Sequence, residues 1–71
     1  MKDFVAVKGL IENRTSEQEI GLRVNDISRF ESITKPGRYR EAVKIHFYNH
    51  TSLPSIYVEV SEFKKVLQPL L

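Results

Sequence analysis

Two stretches in the second half of the chain alternate strictly enough to leave little choice of fold. In Glu41 to Tyr48, Val43, Ile45 and Phe47 point one way while Lys44, His46 and Tyr48 point the other. In Ser55 to Val60, Ile56, Val58 and Val60 alternate with Tyr57 and Glu59. A period of two marks a strand with one face buried. Immediately afterwards the period changes. Phe63, Val66, Leu67 and Leu70 fall at i, i+3, i+4 and i+7, one face of a helix. Ser61 is placed to cap that helix, Glu62 complements its positive end and Pro69 stops it. A helix of about two turns does not persist alone in water, so it must dock on the sheet.

The first half supplies the other strands. Phe4 to Ile11 is a β-favouring run, with Lys8-Gly9 marking a bulge or bend. Glu12 to Glu19 is polar and reads as a hairpin loop, after which Ile20, Leu22 and Val24 alternate with Gly21 and Arg23. Asn25 and Asp26 form a tight turn that pins Ile27 inward, followed by a strand from Arg29 to Thr34 in which Phe30 and Ser32 share a face. Lys35-Pro36-Gly37-Arg38 and Asn49 to Pro54 are turns. The expected fold is α+β but mainly β. A single curled antiparallel sheet of about five strands carries a short C-terminal helix, in one small domain over residues 1–71. Phe30, Ile45, Phe47, Val58, Phe63 and Leu67 are the expected core.

Size now matters. A chain of 71 residues buries about 60% of its unfolded surface, and with no cysteine it has no disulfide to make up the difference. Oligomerisation is the remaining common way to bury more. On this reading the first strand or the Ser55–Val60 strand pairs with another copy. Eleven basic against nine acidic side chains leave a net charge of +2, a small surplus for a nucleic-acid binder. No stretch approaches the roughly 20 apolar residues of a membrane span, and Met1 to Lys8 lacks a signal-peptide core. The expected location is the cytoplasm.

Few residues suggest chemistry. His46 and His50 have no cysteine or carboxylate at ligand spacing, and Ser28, Ser32, Ser52, Ser55 and Ser61 all suit turns, strand faces or caps. Asp26 suits a turn and Glu31 a solvent-facing strand position, and Gly9, Gly21 and Gly37 make no phosphate loop. The expectation is therefore a non-enzyme with no catalytic residues, metal, cofactor or small-molecule substrate. One cluster is notable: Arg29, Lys35, Arg38, Tyr39, Arg40 and Lys44 are candidate nucleic-acid contacts, because a basic β-ribbon with an aromatic can grip phosphates and stack on a base. The same residues also suit a solvated hairpin tip whose charge discourages edge-to-edge aggregation.

The pattern Ile20, Leu22, Val24-Asn25-Asp26-Ile27, Phe30-Glu31, then Val43, Ile45, Tyr57, Val58 and a short final helix resembles the small flagellar-operon FlbD-type proteins of bacteria, over about residues 4–67. Asp26-Ile27, Phe30-Glu31-Ser32, then Tyr57-Val58, Val60-Ser61, Phe63 and Val66-Leu67 are also similar to the core of LytTR-type DNA-binding domains. Those domains continue past the helix with strands that carry many DNA contacts, so no contact residue is transferred here. The resemblances imply a small bacterial accessory protein. The leading expectation is a non-enzymatic accessory or protein-interaction module that binds a protein partner or itself. The alternative is a small nucleic-acid-binding regulator that uses the basic 35–44 hairpin.

Overall fold

A computed structural model of the chain describes residues 4–13, 15–34 and 39–71. Five strands appear: β1 (Phe4–Ile11), β2 (Gln18–Arg23), β3 (Ile27–Thr34), β4 (Glu41–Phe47) and β5 (Ile56–Glu59). All pairings are antiparallel, in the order β2-β1-β5-β4-β3. Every strand therefore lies beside its neighbours in sequence except at one place, between β2 and β3, and β1 closes on β5. The result is a meander curled almost into a ring, open along β2 and β3. A single 3-10 turn, Val24–Asp26, links those two edges. The Asp26 carbonyl accepts the Tyr48 N–H at 3.0 Å, which ties this turn to the end of β4.

The curl is made at Gly9. β1 pairs with β2 from Phe4 through Gly9 and with β5 at Leu10 and Ile11. A Cβ on Gly9 would lie 2.5 Å from the Tyr57 carbonyl oxygen and 3.2 Å from Val58 Cγ2, so only a bare backbone allows the strands this close. Beyond the handover, β5 has already turned into the helical segment, and the Glu62 carboxylate accepts the Lys8 backbone N–H at 3.1 Å.

The concave face holds the main core of Val7, Leu22, Val43, Ile45, Ile56, Val58 and Leu67, with Ile27, Phe47, Phe63 and Val66 packed around it. A second cluster, Leu10, Tyr39 and Ala42 against Tyr57, covers part of the opposite face. Parity explains both. Val43 and Ile45 face inward, while Ala42 between β3 and β5 faces out to meet Leu10 and Tyr39.

Several expectations change. Ile45, Val58 and Leu67 are fully buried and Phe47 and Phe63 half-buried, but Phe30 is 37% exposed because β3 is an edge and the helix covers only part of it. β1 and β5 are interior strands, paired on both sides, so neither is the strand open to another copy. Val60 starts the helical segment rather than ending β5. That segment has an α-helical start at Val60–Glu62, a wide π-type turn at Phe63–Leu67 and a 3-10 turn at Gln68–Leu70. Its cap position is Glu59, and Ser61 instead donates to the Glu59 carboxylate at 2.9 Å. Pro69 lies inside the final 3-10 turn, where φ is compatible. The Lys35–Arg38 turn lies outside the described residues.

Gly9→Ala is expected to destabilise the protein by roughly 1–3 kcal/mol, because β1 and β5 must separate to admit the methyl group. Denaturant unfolding measures this, and a variant as stable as the parent would show that the sheet bends elsewhere.

Candidate functional site

Among the described residues, those singled out for nucleic-acid contact differ in how far they are available: Arg29 and Arg40 are exposed, Lys44 is paired and Tyr39 is buried. Lys35 and Arg38 lie outside the described residues. Tyr39 is 6% exposed, packs on Leu10 and Ala42, and donates its hydroxyl to Glu17 Oε2 at 2.6 Å. Its ring is core, not a platform for a base. Lys44 donates to Glu12 Oε1 at 3.1 Å, and its ammonium lies 5.5 Å from the centre of the Tyr57 ring. Its charge is thus spent inside the molecule, and the Glu12 bond raises its pKa above the ordinary 10.5. Arg29 and Arg40 are exposed. Arg29 stands on β3 opposite His46, and Arg40 precedes β4.

A constellation that spacing does not reveal lies on the same convex face. His46 Nε2 is 2.9 Å from Glu31 Oε1, and its Nδ1 is 3.3 Å from Ser55 Oγ. The three residues are far apart in sequence. Strand pairing brings them together, because Arg29↔His46 and Glu31↔Lys44 put Glu31 diagonally across from His46, and the Ile45↔Ile56 pair brings Ser55 alongside. Knowing the register would have found this group; residue types alone do not.

A carboxylate–histidine–hydroxyl chain has the order of a nucleophilic triad. Its geometry favours a strap instead. The Ser55–His46 separation is long for a base taking a proton, and the Ser55 carbonyl, by accepting the Glu12 N–H at 2.9 Å, anchors the turn before β5 to the end of β1. The shallow concavities among the described residues include one of about 360 Å³ at Asn13, Thr15, Ser16 and Gln18 and one of about 200 Å³ beside Ser32, Thr34, Glu41 and Val60. Neither takes in Glu31, His46 or Ser55. The chain of bonds fastens the β3 edge to β4 and to the turn before β5.

The free sheet edge is the other notable surface. β3 runs eight residues, and Ser28 to Ser32 are all exposed. Phe30 rests edge-on against Phe63, with ring centres 5.2 Å apart and planes at 71°. The pairing with β4 shifts between Ile27 and Arg29, and the Ser28 hydroxyl there donates to the His46 carbonyl at 3.1 Å. Among the described residues no helix is long and apolar enough to cross a membrane. Comparison with protein-family models, curated proteins and solved structures gives no match for this chain.

The strap has a pH signature. The His46 hydrogen bond, above all, holds the Glu31 carboxyl below its ordinary 4.5, with smaller help from the Arg29, His46 and Lys44 charges against a partial desolvation. A carboxyl with a depressed folded-state pKa stabilises the fold fully above its unfolded value and loses that contribution as pH falls through the folded one. Melting temperature should therefore fall with pH below about 4.5 more steeply in the parent than in Glu31→Gln. Superimposable acid limbs would show that the Glu31–His46 bond does not persist in solution.

Proposed function

We propose that this chain is a small non-enzymatic accessory module of the cytoplasm that offers the free edge of β3 to another polypeptide, a second copy included. The observation that carries this reading is the edge itself: eight residues of strand, exposed through their middle, with a half-open phenylalanine seated on the helical segment behind. Edge addition supplies affinity through backbone hydrogen bonds and specificity through side chains on alternate sides. Val24 to Glu31, one part of the pattern that carries the FlbD-type resemblance, forms the linking turn and the first half of this edge.

The nucleic-acid alternative has less support. Of the six candidate residues, Arg29 and Arg40 are the exposed cations among the described ones, Tyr39 is buried and Lys44 is paired. Two cations are a small footprint for gripping phosphates.

Two measurements test the proposal. A photo-crosslinking phenylalanine analogue at Phe30 is expected to give adducts of discrete mass in cells, whereas the same analogue at exposed Lys65 gives none. Titration with mixed-sequence duplex DNA and RNA at low salt is expected to show no tight binding. Tight binding that Arg29→Ala with Arg40→Ala abolishes, losing about two units of salt slope, would replace this reading with the nucleic-acid one.

A further inference from the structure

The β3 edge carries a sequence that reads nearly the same in both directions. Ile27-Ser28-Arg29-Phe30-Glu31-Ser32-Ile33 is symmetric about Phe30, apart from one exchange in which Arg29 is answered by the opposite charge of Glu31. We infer that β3 pairs antiparallel with β3 of a second copy about a two-fold axis through Phe30. The inference rests on the interaction-module reading and names its partner.

Symmetry limits the registers. A two-fold axis between antiparallel strands runs perpendicular to the sheet, so each face of one copy continues onto the same face of the other. Directly opposed side chains then share a face, and the axis must pass beside one residue. An axis at Arg29 sets two guanidinium groups against each other, and an axis at Glu31 sets two carboxylates. An axis at Ser32 opposes Glu31 to the partner's Ile33. The axis at Phe30 alone among these puts Arg29 opposite the partner's Glu31, and Glu31 opposite the partner's Arg29. A like-charged register flanks the complementary one on each side, which fixes the pairing.

Each face of the edge suits that arrangement. Arg29 and Glu31 lie on the convex face beside His46 and Lys44 of β4, both exposed. Oε1 of Glu31 meets His46 Nε2 at 2.9 Å, and a carboxylate has lone pairs for a further donor. On the concave face Phe30 meets the partner's Phe30, and each stands against its own Phe63 in the T-shaped contact already present, making a four-ring cluster. The exposed third of Phe30 is covered. The irregular step between Ile27 and Arg29 confines regular pairing to the middle of the strand. The interface is accordingly short and the dimer weak and reversible. The other open edge, β2, is a poorer site, because its centre, Gly21, brings no side chain and lies beneath the Phe4 ring.

Charge exchange tests the register. In sedimentation equilibrium from micromolar to millimolar protein, the parent is expected to form a dimer reversibly. Arg29→Glu and Glu31→Arg should each weaken it by about tenfold or more, since both symmetric pairs become repulsive. An equimolar mixture of the two variants should recover association, because every opposed pair in the mixed dimer is again of opposite sign. Carrying both changes in one chain should recover it too. Circular dichroism shows whether each variant folds, and in the parent the amides of Phe30 to Ser32 should exchange more slowly as concentration rises. A dimer indifferent to the single changes would overturn the register. A parent monomeric throughout would overturn the pairing, and Phe30 adducts to other proteins would then leave the interaction module standing. A monomer with no Phe30 adducts would remove both.

Discussion

The sheet bends at Gly9, and the rest of the molecule depends on that bend. Five short strands laid flat would leave a single layer with no interior. By passing from β2 to β5 within one strand, β1 brings the first and last strands together and wraps both halves around Ile45, Val58 and Leu67. The helical segment then needs to fill only the mouth of the curl. The wide turn at Phe63–Leu67 lets Leu67 reach the core while Phe63 stays against Phe30 at the rim.

A small domain gains from using both sides of its sheet. The convex face carries Leu10, Tyr39 and Ala42 against Tyr57, together with the Tyr39–Glu17, Lys44–Glu12 and Glu31–His46 bonds. These polar contacts reach from the β1–β2 connection and from β3 onto β4, across elements that the main core does not clamp from outside. Exposed ion pairs contribute little singly. Their value here is in fixing the position of loops and an edge that would otherwise be free to slide. It also means that Lys44, a cation that looks available in the sequence, is already committed.

Most of the fold was legible in the sequence because it is written in periods. A β-favouring run located β1, alternation located β2, β4 and β5, and the change of period located the helical segment, since the two periods depend on which side of a local element faces the core. Strand order was not legible. It depends on the close approach at Gly9, which no periodicity encodes, and so the first and last strands were expected at edges when they lie inside. Phe30 was expected in the core for the same reason: its pattern is that of an inward residue, and only its place on an outer strand leaves it open. Tyr39 and Lys44 are less available than their place in the basic cluster suggests, because counting cations along a chain says nothing about their partners. Glu12 and Glu17, which occupy Lys44 and Tyr39, are 32 and 22 residues away. The Glu31–His46–Ser55 strap was hidden likewise, since it exists only once register is known.

The Glu62 contact bears on how the protein avoids clumping. Where β5 turns away, the outward N–H of Lys8 would offer a foothold for a foreign strand, and this stretch of β1 would become a third open edge. A carboxylate from the helical segment sits there instead, as a stopper rather than a rung of the ladder. Docking of the helical segment thus does two jobs at once, sealing the apolar mouth and occupying a backbone group that could seed amyloid-like growth. During synthesis that segment emerges after the five strands. Until residues 60–70 dock, the nascent sheet carries one more sticky side than the folded chain, exposed to aggregation for as long as that takes.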